Sequence, residues 1–274
     1  MARLYVVGTP IGNLEDLSPR AIRILSEVDF IAAEDTRVTM KLLTHFGIKK
    51  PLVSYHEHNR VTRTGEILSR IKCGENCALV TDAGMPAISD PGEDLVRACR
   101  EENVDVESVP GPTAFATAMA ISGMSSGRFT FEGFLSVNKR SRKEHLAQIV
   151  NEPRTMIFYE APHKLIYTLQ DMYDALGDRE IAVCREITKL HEQVIKTTLS
   201  GAIAHFAETK PQGEFVLVIE GAKPQDDDNE YTLEDAVDIA RKLQDSGMPA
   251  SAAAKQAASA TGKKKGDIYK LLCE

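Results

Sequence analysis

Short apolar runs alternate with amphipathic segments through about the first hundred residues. The apolar runs have the length of buried strands and lie at residues 4–7, 30–33 and 77–80, and a further, more polar strand is predicted at 105–109. Between them, apolar residues recur every three to four positions, as on one face of a helix, at 19–26, 38–46, 60–72 and 93–102. Strands that alternate with helices predict a largely parallel sheet with helices on both faces.

The second half of the chain has more strands per helix. Apolar or alternating runs predict strands at 128–134, 155–159, 180–185, 192–198 and 214–220. Helical periodicity separates some of them, at 113–122, 141–150, 162–176 and 199–208. Because not every pair of strands is separated by a helix, we expect a mixed sheet here.

A polar segment at 222–230 separates these strands from a different kind of sequence, since it lacks the apolar residues needed to pack. Beyond it, Thr232 and Asp235 form a predicted capping box for a helix that ends at Gly247. Two further helices are predicted at 251–261 and 265–273. The predicted organisation is an α/β domain at 1–112, a second α/β domain with a mixed sheet at 113–221, a linker at 222–230 and a small helical module at 231–274.

Three of the predicted strands end in loops that contain glycine and proline. The loops cover residues 8–13, 81–92 and 109–114, and the second loop holds Asp82 and Asp90. Loops that follow buried parallel strands share one edge of the sheet, where open α/β folds bind their ligands, and glycine lets the backbone approach a bound molecule. We therefore expect one shared pocket, although either aspartate taken alone fits a turn-capping role equally well.

Several familiar ligand motifs are absent from the sequence. Gly8 and Gly12 are spaced G-x3-G, so no G-x-G-x-x-G fingerprint follows the first strand, and no Walker sequence G-x4-G-K-[ST] occurs. His56 and His58 have no obvious third ligand, and no serine lies in a G-x-S-x-G elbow. The sequence thus disfavours dinucleotide, nucleoside triphosphate and serine-hydrolase chemistry, and it predicts no metal site.

Composition and charge favour a soluble, cytoplasmic protein. The 274 residues carry a formal net charge of −7, which argues against indiscriminate nucleic-acid binding, but basic segments lie at 139–143 and 263–265. No signal peptide or membrane-spanning run is recognisable. The five cysteines lack the spacing of zinc ligands, so we expect reduced thiols rather than a disulfide framework.

The loops and strand ends also carry a set of motifs in a fixed order. They are VVGTPIGNL at 6–14, AEDTR at 33–37, SYHEHN at 54–59, TDAGMP at 81–86, SDPG at 89–92, VPGP at 109–112, FYEAPHK at 158–164, REITK at 185–189 and GEFV at 213–216. In these motifs the chain resembles the tetrapyrrole methylase superfamily, and within it the bacterial small-subunit ribosomal RNA methyltransferases that act on a cytidine ribose 2′-hydroxyl. The chain departs from them mildly at Ala161 and Lys164, where relatives usually carry serine and arginine, and at Thr113, where serine is common.

The resemblance implies a homodimeric enzyme of two α/β domains that holds S-adenosylmethionine in the cleft between them. By family analogy, the methionine end of the cofactor lies near Asp82, Ala83, Gly84, Ile88 and Ser89. The adenosine end lies near Pro110, Tyr159, Pro211 and Gly213, and Pro10 of the first loop completes the predicted cofactor-binding set.

Methyl transfer to a ribose hydroxyl is helped by a base that accepts the hydroxyl proton. Residues of suitable type at strand ends are Glu34, Asp35, His56 and Glu160, and we favour Glu34 or Glu160 as catalytic. An equally good interpretation of residues 34–37 is a helix cap with local ion pairs.

Cations in the motifs and in the basic segments suit RNA phosphates. We predict RNA-binding roles for Arg37, Lys189, Arg140, Arg142 and Lys143, and a further contact by the lysines at 263–265. Phe129, Phe131 and Phe134 precede the first basic segment, but their spacing fits a core strand better than a base-stacking platform.

Three functions remain open at this point. The first is an S-adenosylmethionine-dependent methyltransferase of small-subunit ribosomal RNA, which would act on free RNA or on the 30S subunit. The second is a small-molecule methylase of the tetrapyrrole type, and the third is a non-catalytic RNA-binding protein on the same scaffold. The basic segments and the helical module favour the first over the second, and the intact pocket loops disfavour the third.

Overall fold

The computed structural model describes residues 2–223 and 231–273 of the chain. The chain divides into two compact units, Met1–Ala222 and Lys223–Glu274. Of the predicted linker at 222–230, residues 224–230 lie outside the described part. The predicted boundary between two α/β domains near residue 112 stays a prediction, while the α/β class and the C-terminal helices are confirmed.

The first sheet is entirely parallel, as the alternating pattern predicts. Its strands are β1 (Arg3–Val7), β2 (Phe30–Ala33), β3 (Leu52–Ser54), β4 (Cys77–Val80) and β5 (Asp105–Val109), in the spatial order β3-β2-β4-β1-β5. The helices that connect them are α1 (Pro19–Glu27), α2 (Thr36–His45), α3 (Arg60–Lys72) and α4 (Glu93–Glu101), with a short 3-10 helix at Leu14–Asp16.

Both faces of this sheet are covered. Alternate residues of β4 point to opposite sides, so Ala78 joins a core with α1 and α2 while Leu79 joins a core with α3 and α4. Every residue of β2 and β4 is buried, which explains their uninterrupted apolar runs. Since all five strands run the same way, the loops that follow them emerge at one edge.

The second sheet is mixed, as predicted from its adjacent strands. Its strands are β6 (Phe129–Phe134), β7 (Thr155–Glu160), β8 (Glu180–Arg185), β9 (Gln193–Thr198) and β10 (Phe215–Ile219), in the order β6-β7-β10-β8-β9. Only β6 and β7 pair in parallel among these strands, and the other three pairs are antiparallel. The helices of this part are α5 (Ala114–Ile121), α6 (Lys139–Gln148), α7 (Leu165–Leu176) and α8 (Leu199–Glu208).

The two faces of the second sheet have different partners. One face packs on α6, α7 and α8 through Met156, Phe158 and Leu217. The other packs on α5, and its core also receives Ile11 from the loop after β1. This contribution ties a loop of the first sheet to the second sheet.

In the part of the C-terminal unit that the structure describes there are three helices, α9 (Leu233–Asp245), α10 (Ala250–Thr261) and α11 (Lys265–Leu272). Thr232 caps α9 in the predicted capping box, in which its side chain accepts a hydrogen bond from the Asp235 amide and the Asp235 carboxylate accepts one from the Thr232 amide. The small core is built mainly from alanines, with Val237 and Ile268 as its larger buried members. Within the described residues, no helix of the chain is both long and apolar enough to cross a bilayer.

Candidate active site

The three glycine- and proline-containing loops meet at the carboxyl edge of the first sheet. The Gly8 amide donates a hydrogen bond to the Val109 carbonyl (3.1 Å), which joins the loops after β1 and β5. Thr9 and Gly84 exchange two backbone hydrogen bonds (2.9 and 3.1 Å), and the Thr9 hydroxyl donates to the Thr81 carbonyl (3.1 Å). The loop after β1 is therefore held between the other two.

A cavity of about 360 Å³ opens beside these loops, within the size range of small-molecule sites. It is lined by residues from both sheets and from the start of α5. Of the residues predicted from sequence, it is lined by Glu34, Asp82, Ala83, Gly84, Ile88, Ser89, Tyr159 and Glu160. The other predicted residues do not line it, namely Pro10, Arg37, Pro110, Arg140, Arg142, Lys143, Lys189, Pro211 and Gly213.

Carboxylates concentrate at one end of the cavity. Glu34 Oε2 accepts hydrogen bonds from the Thr81 hydroxyl (2.5 Å) and the Asp82 amide (3.3 Å), while Asp82 Oδ1 accepts one from the Asp35 amide (3.0 Å). Burial raises the pKa of Asp82, and repulsion from Glu34 and Asp35 adds to the rise. These contacts tie the turn after β2 to the turn after β4 and create a strongly negative region.

Asp90 adds a carboxyl beside Glu34 and Asp82 in the cavity lining. Burial raises its pKa to about 7, the negative charges of Glu34 and Asp82 act in the same direction, and a hydrogen bond with Thr81 opposes them. The sequence indicates Asp90 only as half of an aspartate pair with a possible turn-capping role. Its titration near neutrality follows from burial and neighbours that no local motif reveals.

Glu160 is enclosed far more completely than Glu34. Only 3% of the residue is exposed, and its carboxylate accepts hydrogen bonds from the Ala161 amide (2.8 Å) and the Thr168 hydroxyl (2.5 Å). The Lys164 ammonium lies 3.4 Å from Oε1. All of these partners belong to the turn after β7 and to α7, so Glu160 fixes the shape of that turn.

The turn at residues 34–37 contains the helix cap that the sequence allowed. Asp35 Oδ1 accepts a hydrogen bond from the Arg37 amide (2.8 Å) at the start of α2, and the Arg37 guanidinium pairs with the same carboxylate. These bonds hold the pKa of Asp35 at about 2, well below its usual range. The Arg37 side chain is otherwise 87% exposed, so it also faces solvent.

Lys189 lies in an ion-paired position beside the cavity. Its ammonium bridges Glu186 (3.0 Å) and Glu214 (3.1 Å), and Glu214 lines the cavity. The pairing carboxylates outweigh burial and raise the pKa of Lys189. The lysine therefore fastens the loop after β8 to the start of β10.

Part of the lining was not predicted from the sequence. The start of α5 and three aromatic or apolar strand residues contribute to the wall, namely Thr113, Ala114, Phe115, Phe134, Phe215 and Val216. Tyr159 fixes the α5 contribution, because its hydroxyl accepts a hydrogen bond from the Phe115 amide (3.1 Å). The available signal for α5 was its position directly after the loop at 109–112.

Comparisons with known proteins identify the architecture. A family model described as Tetrapyrrole (Corrin/Porphyrin) Methylases matches residues 3–203. The chain belongs to this family. Its curated relatives include "Ribosomal RNA small subunit methyltransferase I" of Synechocystis, which is 50% identical over 100% of this chain and 98% of that protein. The protein of the same name from Thermotoga maritima is 48% identical over 81% of this chain and 99% of that protein.

The fold of a solved structure agrees with this membership. The methyltransferase CobJ superposes with a TM-score of 0.60 and 20% identity, covering 81% of this chain and 95% of that one. At this identity the likeness shows the fold alone. As a tetrapyrrole methylase, the chain uses S-adenosylmethionine as its methyl donor.

The cavity suits that donor in charge and in shape. S-adenosylmethionine carries a sulfonium and an ammonium group, and the carboxylates of Glu34, Asp82 and Asp90 provide the negative environment that stabilises cations. The apolar lining by Ile88 and Tyr159 suits the flat, largely apolar purine. Within residues 2–223 and 231–273, no cluster of side chains is suited to hold a metal ion.

The raised pKa of Asp90 leads to a stability prediction for the cofactor-free protein. A carboxyl whose pKa is about 7 when folded and near 3.8 when unfolded makes folding progressively less favourable as pH rises between these values. Asp90→Asn removes this penalty, so we expect a higher melting temperature than wild type at pH 8 and a much smaller difference at pH 5. Thermal unfolding followed by circular dichroism measures both.

The matched control is Asp16→Asn, an exposed carboxyl in the short 3-10 helix that does not line the cavity. An equal gain for both variants, or a gain for Asp90→Asn that does not depend on pH, would contradict the assignment of the penalty to Asp90.

Proposed function

We propose that this tetrapyrrole methylase transfers a methyl group from S-adenosylmethionine to the ribose 2′-hydroxyl of a cytidine in small-subunit ribosomal RNA. The observation that carries the proposal is its similarity, across nearly the whole chain, to proteins named as small-subunit ribosomal RNA methyltransferases. The acidic cavity supports it as a site for the cationic donor. The assignment of a cytidine 2′-hydroxyl as the methyl acceptor rests on the resemblance in the sequence motifs.

The chemistry requires alignment and the removal of one proton. When bound, the cofactor supplies a methyl carbon on a positively charged sulfur, which is already a strong electrophile. The protein must hold the acceptor oxygen in line with that carbon at near-attack distance, which supplies much of the rate enhancement. As the new C–O bond forms and the C–S bond breaks, the hydroxyl proton passes to a base.

We assign the base role to Glu34. Its Oε2 is occupied by Thr81 and Asp82, but its Oε1 makes no hydrogen bond within the described residues, and the residue lines the cavity. Glu160, the other predicted catalytic residue, uses both oxygens within its own turn and is almost completely buried. We therefore assign Glu160 a positioning role, through the turn that carries Lys164.

The proposed RNA contact lies in α6, whose first residues are basic. Arg140 and Lys143 are exposed, and Arg140 makes only an i,i+4 pair with Glu144 at the surface. Arg142 differs, since its guanidinium donates to Asp171 (2.6 Å) and to the carbonyls of Ser136 and Val137. Of these three residues, Arg140 and Lys143 are therefore the cations accessible to a phosphate backbone, and Arg142 holds their helix in place.

Replacing Arg140 and Lys143 together by alanine should weaken RNA binding and flatten its salt dependence. Each lost phosphate contact reduces the slope of log K against log salt by about 0.7–0.9. Binding of small-subunit RNA at several salt concentrations measures this slope. The control variant Lys49→Ala with Lys210→Ala changes the net charge equally at two other exposed lysines. Equal slopes for both variants would remove α6 from the interface.

The decisive test of the function is methyl transfer with a radiolabelled donor. We would offer the protein small ribosomal subunits from a strain that lacks it, protein-free RNA, and a tetrapyrrole precursor. Label in 2′-O-methylcytidine of the subunit RNA supports the proposal, and comparison with free RNA identifies the preferred substrate. Label in the tetrapyrrole alone would favour the small-molecule class, which the match to the tetrapyrrole methylase family model makes the second candidate. Donor binding without transfer would favour a scaffold role.

A homodimer in the cytoplasm remains part of this proposal. Small-subunit RNA is made and assembled in the bacterial cytoplasm, so an enzyme that modifies it works there. Light scattering of the purified chain decides between a mass near 30.1 kDa and twice that value.

A further inference from the structure

The aromatic residues of β6 lie on one face of the sheet, contrary to their spacing. Strict alternation places Phe131 and Phe134 on opposite faces. The pairing of β6 with β7 shifts by one residue between Phe131 and Gly133, so Phe131 lies opposite Ile157 and Phe134 lies opposite Tyr159. Because residues 157 and 159 point the same way, the bulge turns Phe134 to the face that lines the cavity.

Glycine is required at this bulge for two reasons. Gly133 has a φ of +64°, which side-chain-bearing residues rarely adopt, and a Cβ atom there would lie 3.2 Å from Ser89 Oγ in the cavity loop. The bulge thus brings β6 against the loop after β4 and turns the next side chain toward the cavity mouth.

Phe134 is held by a neighbouring aromatic ring but remains about half exposed. Its ring meets the ring of Tyr159 edge-on at 5.4 Å between centroids, and Tyr159 is itself fixed by the Phe115 amide. Phe131 continues the cluster, 5.0 Å from Tyr159. Yet 53% of Phe134 is exposed, at the rim of a cavity where methyl transfer takes place in the proposed function.

The surroundings of this exposed ring suit a nucleotide. The Lys164 ammonium lies over the ring, 6.0 Å from its centroid, at the outer limit of a cation–π contact, and adds a positive charge beside the exposed aromatic surface. The basic helix α6 begins five residues after Phe134. The chain thus leads within five residues from this ring at the cavity to the helix whose cations we propose to contact the RNA backbone.

We propose that Phe134 is the stacking platform for the nucleobase of the acceptor nucleotide or of its immediate neighbour, placing the ribose hydroxyl at the cavity. This inference rests on the proposed function and adds a substrate-positioning residue to it. The aromatic face supplies stacking that tolerates any base, and the cavity beside it supplies the reacting groups.

The first experiment compares Phe134→Leu with Phe134→Tyr. Leucine keeps the apolar bulk and loses the aromatic face, so kcat/KM for methyl transfer to small-subunit RNA should fall roughly 5- to 150-fold, the contribution of one stacked base. Tyrosine keeps the face and should remain near wild type. Calorimetric affinity for S-adenosylmethionine and the melting temperature should be unchanged in both. Phe129→Leu, at the partly exposed start of the same strand, is the matched control.

The second experiment uses the absence of tryptophan from the chain. Phe134→Trp introduces the only indole, and a single-stranded cytidine-containing oligoribonucleotide should quench its fluorescence by stacking. Phe129→Trp should respond little to the same oligonucleotide.

The outcomes separate this inference from the function on which it rests. If wild-type protein transfers no methyl group to RNA, the proposed function fails whatever the variants do. If wild type is active, then an unchanged kcat/KM for Phe134→Leu, a weakened donor affinity, or no selective quenching of Phe134→Trp each overturns the stacking role.

Discussion

Glu34→Gln should lower the rate of methyl transfer by about 10²–10⁴-fold, the usual contribution of a positioned base. Glutamine retains a carbonyl oxygen that can accept the hydrogen bonds from Thr81 and from the Asp82 amide, so the turn keeps its geometry. The variant keeps these contacts but loses the negative charge and, with it, the ability to take up the hydroxyl proton. Single-turnover transfer with saturating donor and RNA measures this step directly.

Two further measurements separate a base from a structural residue. The melting temperature should change little in Glu34→Gln, because its contacts survive. The charge of Glu34 helps to raise the pKa of Asp90, so this pKa should fall in the variant, as carbon-13 chemical shifts of the aspartate carboxyl would report.

Glu160→Gln provides the comparison. Its carboxylate organises the turn after β7, so we expect lower stability and a smaller loss in kcat than for Glu34→Gln. A Glu34→Gln variant with wild-type turnover, or a Glu160→Gln variant that folds normally and loses more activity, would reverse the assignment of the two roles.

The sheets and the location of the site could be predicted from the sequence because both depend on local patterns. The parallel sheet follows from buried runs such as 77–80 between helical segments, and its carboxyl edge follows from the loops at 8–13, 81–92 and 109–114. The capping box at Thr232 is local in the same sense.

Other features depend on contacts between distant residues. The face on which Phe134 lies changes with a single bulge, so spacing alone indicated a core position. Arg142 belongs to a basic run, but Asp171, 29 positions away, takes up its charge. The titration of Asp90 depends on burial and on Glu34, which follows a different strand. In each case the deciding neighbour comes from another element.

The close approach of Gly8 and Gly111 supports a second large effect, for Gly111→Ala. A Cβ atom at residue 111 would lie 2.8 Å from Gly8 C and Cα and 2.9 Å from its carbonyl oxygen, and these are backbone atoms that cannot rotate away. The loops after β1 and β5 would have to separate, which we expect to cost about 1–3 kcal/mol of unfolding free energy. Chemical denaturation measures this loss.

The same displacement should weaken donor binding, because the loop at 8–13 also holds the loop at 81–92 through Thr9 and Gly84. Gly65→Ala is the control, since Gly65 lies within α3 and a Cβ there would meet nothing within 4 Å. That variant should gain roughly 0.5–1 kcal/mol from the better helix propensity of alanine and bind the donor normally. Changes of opposite sign in the unfolding free energy of Gly111→Ala and Gly65→Ala would show that the contact between the two loops, rather than glycine content, maintains the cavity. A stable Gly111→Ala protein with wild-type donor affinity would instead show that the cavity does not depend on that contact.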